Sequence, residues 1–244
     1  MSNKIIFTVD VEKDLHTGET LGITQGLKRF EKICDKNNIK PILFVTGEVL
    51  EKHPRIFKGL QEKDWEISSH GFTHSRFDEM TYPEKEEEIR RCINSFKKYL
   101  GKNPKGFRAP QHSIDEQTLD LLEKHGFEYD SSYTPLNKFQ FLFFPKKLKL
   151  NLKGFFSPLN PYRIRKNLLE RPPASFGIPF VSLTIRVLPK PIIKIYLLLL
   201  KLLYDKPIFY AHSWDFIELK QSKIDRKFSH NTLLNKIDYL MKLK

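Results

Sequence analysis

Short apolar runs alternate along this chain with longer stretches of helical periodicity. Residues 5–11, apolar and β-branched, and 41–45 read as buried strands, and 65–68, 106–109, 127–130 and 207–211 read as further, shorter strands. Between them, residues 24–37 carry Leu27, Phe30, Ile33 and Cys34 at helical spacing, and residues 48–63 read as a helix kinked or broken at Pro54. Residues 83–100 are acidic in their first turns and basic in their last, with Gly101 as the stop. Helices are also expected over 115–125, closed by Gly126, and over 231–243. Strands alternating with helices predict parallel βαβ units joined by right-handed crossovers. Six or seven such units favour a barrel over an open sheet. The long excursion before the last strand makes it a distorted or incomplete one. Residues 1–244 are read as one catalytic domain.

Charge changes this picture in one place. Residues 134 to 206 hold 14 lysines and arginines against Glu170 and Asp205 alone, so +12 of the chain's net +13 sits in one insertion-like lobe before the last strand. The lobe is also aromatic-rich, with Phe-Gln-Phe-Leu-Phe-Phe at 139–144 followed by a lysine-edged alternating run at 146–153. Further on, residues 191–204 are almost wholly apolar, with Lys190, Lys194, Lys201 and Asp205 on one helical stripe. An ordinary barrel helix with a narrow wet stripe is expected there. The alternative is an amphipathic surface element that meets anionic headgroups. Nucleic acid is not expected, since no nucleic-acid motif accompanies the lysines. Cys34 and Cys92 sit among apolar neighbours as packed thiols, which suits a reducing compartment. The N-terminal residues run straight into the first strand with no signal-peptide pattern, so a cytoplasmic protein is expected.

The unusual polar residues cluster at the carboxyl ends of the predicted strands: Asp10 and Glu12, His70 and His74, Arg108, Asp130 and His212. In parallel barrels that rim is where active sites are built. Residues i and i+4 share a face if the chain turns helically, so His70 and His74 can meet one divalent ion. Two imidazoles and one carboxylate leave an open coordination position, the pattern of a catalytic metal. Asp10 and Glu12 are two apart and point to one face of a strand, so one can hold the metal while the other takes a proton from water. An arginine beside the base would keep it ionised, and Asp130 could orient and charge His212, which would then protonate a leaving amine. The implied reaction is metal-assisted hydrolysis of an amide. His16 and His112 read as surface residues, and His53, His125 and His230 as residues beside helix ends.

Phe7-Thr8-Val9-Asp10-Val11-Glu12, Ser69-His70-Gly71-Phe72-Thr73-His74, Phe107-Arg108-Ala109-Pro110, Tyr129-Asp130-Ser131-Ser132 and Tyr210-Ala211-His212-Ser213-Trp214-Asp215-Phe216 together resemble the five ordered motifs of the polysaccharide deacetylase (NodB-homology) family. The resemblance implies a (β/α)7-type barrel that removes an N-acyl group from an amino sugar with one divalent transition metal, Zn²⁺ first and Co²⁺, Ni²⁺ or Mn²⁺ as alternatives. By position, Asp10 resembles the base, Arg108 its orienting partner, His212 the acid and Asp130 the partner of the acid. His70 and His74 resemble metal ligands. The first motif departs from the usual adjacent aspartates, since its acids alternate as Asp10, Glu12 and Asp14. Glu12 is assigned to the metal, with Asp10 and Asp14 as alternatives. Pro110, Tyr133 and Trp214 are assigned to the substrate, an N-acylated sugar or glycan. A lipid-linked sugar and peripheral contact with an anionic membrane are the expectations attached to the basic lobe. A cyclic-amide hydrolase on the same scaffold, or an inactive glycan- or membrane-binding protein, are the alternative functions.

Overall fold

The computed structural model describes residues 4–15, 17–135, 157–219 and 226–243. The aromatic and lysine runs at 139–144 and 146–153, and His16, lie outside the described residues. Eight strands form one curled sheet in the order β10-β1-β2-β3-β4-β5-β7-β6. Its members are β1 (Ile6–Val11), β2 (Ile42–Val45), β3 (Glu66–Ser69), β4 (Gly106–Phe107), β5 (Tyr129–Asp130), β6 (Tyr162–Arg163), β7 (Leu169–Glu170) and β10 (Ile208–His212). All neighbouring pairs are parallel except β6 with β7. A small hairpin of β8 (Ser175–Phe176) and β9 (Ile178–Pro179) leads to a bridge between Val181 and Tyr210 on the outer side of β10. The result is the incomplete parallel barrel the alternation predicts.

Helices α1 (Leu27–Asn37), α2 (Gly47–Lys52), α3 (Pro54–Glu62), α4 (Tyr82–Leu100), α5 (Glu116–Lys124), α6 (Ser182–Val187), α7 (Lys190–Leu203) and α8 (His230–Lys242) accompany the sheet. The expected break at Pro54 separates α2 from α3. Helix α4 starts on a capping box, in which Thr81 and Glu84 satisfy each other's backbone N–H groups, and ends at Gly101 with φ 72°. The helix expected from residue 24 begins instead with a π-helical turn, Gly22–Gly26, that runs into α1. The main departure from the sequence reading lies in 157–191. Two-residue β7 extends the sheet beyond β5, too short to carry an apolar run.

Strand alternation divides the side chains of β1. Phe7, Val9 and Val11 join the large core cluster with Leu27, Phe30, Leu43 and Val45. Thr8, Asp10 and Glu12 point the opposite way, into the barrel, and are buried as well. Burying each of the large aromatics in that core, such as Phe30 stacked on Phe216 at 4.7 Å, stabilises the fold by about 1.5–3 kcal/mol. This apolar outer layer lets the barrel interior carry polar groups.

Candidate active site

The ladder continues one residue past the strand ends. Thr46, His70, Arg108 and Ser131 donate their backbone N–H groups to Val11, Val45, Ser69 and Phe107, respectively. Register therefore sets Glu12, Thr46, His70 and Arg108 at one level along the carboxyl rim, while Asp10 lies opposite His212 on β10.

The three alternating acids of β1 go to three different partners. Asp10 Oδ1 accepts from Arg108 Nη1 at 2.7 Å. Asp14 is buried and caps the π-helical turn: Oδ2 accepts from Leu21 N–H at 2.7 Å and Oδ1 from Gly22 N–H at 2.9 Å. Glycine is needed at position 22, because a Cβ there would stand 2.7 Å from Asp14 Oδ1 and from the backbone nitrogen of Trp214. Glu12 is the acid that meets the histidines. Its Oε2 is in contact with His74 Nε2 and lies 3.9 Å from His70 Nε2, and Oε1 accepts from Trp214 Nε1 at 3.2 Å. Replacing Asp14 by Ala is expected to cost about 0.5–2 kcal/mol in urea unfolding, as for a lost helix cap, and to leave metal binding intact. Loss of metal binding in that variant would return Asp14 to the ligand set.

The histidine pair does not turn helically. Residues 70–76 form a loop in which Gly71 has φ 73° and His74 φ 68°. Glu88 of α4 holds this loop: its carboxylate accepts from Phe72 N–H, Thr73 N–H and the Thr73 hydroxyl at 2.9–3.1 Å. The rings still converge, with centroids 5.2 Å apart. His70 Nδ1 donates to the Arg108 carbonyl at 2.7 Å, which leaves the Nε2 lone pair toward Glu12. Burial pushes the His70 imidazole down to about 4, so the ring is neutral, as a ligand must be. One atom each from Glu12, His70 and His74 lie within 4.8 Å of one another. Glu12 Oε2 is buried without a hydrogen bond of acceptable geometry. An orphaned carboxylate oxygen between two imidazole nitrogens fits a divalent transition metal.

Burial raises the Asp10 carboxyl, but the Arg108 guanidinium and the nearby His70, His212 and His112 outweigh it and hold the group at about 2. Arg108 is fully buried; it also donates to Thr8 Oγ1, Ser131 O and Ser131 Oγ at 2.9–3.1 Å and lies 4.1 Å over the Phe44 ring. His212 faces Asp10 from β10. Burial lowers its imidazole, yet the Asp215 carboxylate overrides that and, with Glu12 and Asp10, raises it to about 9. Asp215 Oδ2 accepts from His212 N–H at 2.9 Å and lies 3.6 Å from Nδ1, an ion pair more than a firm hydrogen bond. Arg186 of α6 donates to the Asp215 carbonyl at 2.9 Å and to its Oδ1 at 3.2 Å. Trp214 stacks on the His212 ring at 4.4 Å, so it braces the histidine with its face and Glu12 with its N–H.

Asp130 does not serve His212; that carboxylate is Asp215, three residues beyond the histidine. Asp130 accepts from Ser132 N–H and Oγ and is paired with buried Glu170 of β7, and burial raises both carboxyls. Adjacent register, Asp130 beside Glu170, produces that pairing. Tyr133, assigned to substrate, is buried in the second apolar cluster with Phe77, Phe107 and Ile114. Pro110 is also buried, at the start of a short 3₁₀ turn, Pro110–His112. His112, expected on the surface, belongs to the site. Gln111 and His112 both adopt positive φ, 53° and 55°, and turn the ring inward. Its Nδ1 lies 2.8 Å from Ser132 O, and its ring meets Tyr210 edge-on at 5.4 Å. Its place two residues beyond Pro110 in Arg108-Ala109-Pro110-Gln111-His112 is the available signal.

The sequence model of the polysaccharide deacetylase family matches residues 3–129. A peptidoglycan deacetylase-like protein of Gibberella zeae is 35% identical over 109 residues, which are 44% of this chain and 32% of that protein. The peptidoglycan deacetylase of Helicobacter pylori is 29% identical over 123 residues, 50% of this chain and 40% of that one. The match thus spans about a third to two fifths of the length of these curated relatives. A crystal structure of a polysaccharide deacetylase-type protein of Mycobacterium smegmatis superposes with a TM-score of 0.70 at 18% identity, covering 99% of this chain and 84% of that one, a likeness of fold.

Proposed function

Because the chain belongs to the polysaccharide deacetylase family, we propose that it hydrolyses the N-acyl group of an amino sugar in a glycan. Glu12, His70 and His74 would hold one divalent transition metal, with Zn²⁺ the first candidate. The observation that carries the reading is the division of labour on one rim: an orphaned carboxylate oxygen between two imidazoles, with an arginine-held carboxylate and a carboxylate-held imidazole beside it. A bound metal supplies acidified water and a polarised carbonyl. Asp10, held ionised at about 2, would orient the attacking water and accept its proton. Arg108 keeps Asp10 ionised and stationary. His212 stands ready as an imidazolium to protonate the departing amine, and Asp215 keeps that proton in place. Trp214 fixes the separation between Glu12 and His212. An amino sugar carried on a lipid phosphate is the substrate form that the strongly basic stretch before β10 would favour.

Acetate release from N-acetylglucosamine oligosaccharides by the Zn²⁺- or Co²⁺-loaded protein tests this reading. The acid form of His212 is present below its raised value and is lost as pH rises through about 9, so the rate is expected to fall there. In Asp215→Asn the imidazole loses its main supporting charge, and the fall moves to lower pH. No acetate from any N-acetylated sugar would refute the proposal. An alkaline limb that Asp215→Asn leaves in place would remove His212 from the role of acid.

A further inference from the structure

Helix α7 is not an ordinary barrel helix with a narrow wet stripe. Ile193, Tyr196, Leu197 and Leu200 face the core, and the opposite side is apolar too. Leu202 is 82% exposed, Ile195 and Leu198 are each 55% exposed, and Ile192 and Leu199 are exposed with them. At 100° per residue these five side chains span one continuous arc centred opposite the buried one. Lys190, Lys194 and Lys201 lie together on one flank of that arc, between it and the core. The preceding helix α6 exposes Leu183 and Val187 in the same way. Large apolar side chains presented side by side to water mark a contact surface more than a chance scatter.

We propose that the outer face of α6 and α7 docks in the plane of a lipid surface bearing anionic headgroups. Three observations select that occupant. No aspartate or glutamate occurs between Glu170 and Asp205, while Lys190, Lys194 and Lys201 line one flank of α7. A second copy laid on this face would set one acid-free basic surface against another, whereas anionic headgroups neutralise it. Next, α7 has 14 residues, about 21 Å at 1.5 Å per residue, and among the described residues no helix is long and apolar enough to cross a membrane. An apolar stripe with lysines at its edge on such a helix suits a position within the interface, stems buried and ammonium groups among the headgroups. Finally, the helix that carries this face adjoins the rim on its buried side: Arg186 of α6 donates to Asp215, the carboxylate behind His212. The docking stands whether or not the chain is a deacetylase.

Vesicle flotation of the metal-free protein tests it, with phosphatidylcholine alone compared with phosphatidylcholine containing phosphatidylglycerol. The wild-type protein is expected to float with the anionic vesicles and to do so less as salt rises. Ile195→Ser/Leu198→Ser/Leu202→Ser should weaken that binding by about tenfold or more, and Lys190→Glu/Lys194→Glu should abolish the preference for phosphatidylglycerol. If the triple variant does not fold, Leu202→Ser alone, at the most exposed position, should still weaken binding by about threefold or more. Wild-type protein that floats with neither vesicle, or anionic binding unchanged in the α7 variants, would overturn the proposal. So would a dimer in analytical ultracentrifugation that the α7 variants dissociate, because the face would then belong to a second copy.

Discussion

Asp10→Asn is expected to lower the rate of N-acyl hydrolysis by about 10²–10⁴-fold, the range for loss of a positioned proton acceptor. The amide keeps the shape of the carboxylate and can still accept from Arg108, but it takes no proton from water. The fall should appear in kcat more than in KM, because the residue acts on the reacting water and not on the sugar. Metal content should stay at the wild-type level, since the Asp10 oxygen bonded in the structure goes to Arg108 and the carboxylate proposed for the metal is that of Glu12. A variant with near-wild-type kcat would give the role of base to another group.

Arg108→Met carries the largest expected cost in stability, about 3–5 kcal/mol in urea unfolding. The guanidinium is fully buried and donates to Asp10, Thr8 and Ser131 while stacking on Phe44. Removing it leaves the Asp10 carboxylate buried without its main counter-charge and the Ser131 carbonyl without its donor. Lysine should not rescue it, because an ammonium cannot match a planar fork that reaches two strands and stacks on an aromatic ring. The double variant Asp10→Asn/Arg108→Met should cost less than the two single changes added together, since the uncompensated charge is gone. Additive costs would show that Arg108 stabilises the barrel independently of Asp10.

The alternation of apolar runs and helical periods was enough to predict a parallel, incomplete barrel, because each long strand is buried on both faces and so reads as a continuous run. Two-residue β7 carries no such run; its place beside β5 depends on tertiary pairing. At the site, the strand-end rule located Asp10, Glu12, His70, Arg108 and His212 on one rim. It could not apportion the acids of β1, since spacing alone does not reveal that Gly22 brings two backbone N–H groups onto Asp14. The histidine spacing identifies the right pair for a reason that is only partly right. Spacing of four suggested a helical face, whereas a loop with Gly71 in the left-handed region, tied down by Glu88, brings the rings together. The strand-end rule points to Asp130 and passes over Asp215, which lies three residues from His212 in a turn that returns its carboxylate to the histidine. His112 depends on two successive residues with positive φ, which no side-chain pattern announces.

Metal content after incubation with Zn²⁺ and gel filtration, read by elemental analysis, tests the centre formed by Glu12, His70 and His74 most directly. The wild-type protein and Asp14→Ala should each retain about one ion per chain, and Glu12→Gln and His74→Ala should retain little or none. His74 is the suitable histidine to remove, because it is partly exposed on a loop and its loss should leave the core intact. A wild-type protein that retains no ion, or a His74→Ala protein that retains as much as wild type, would contradict the account.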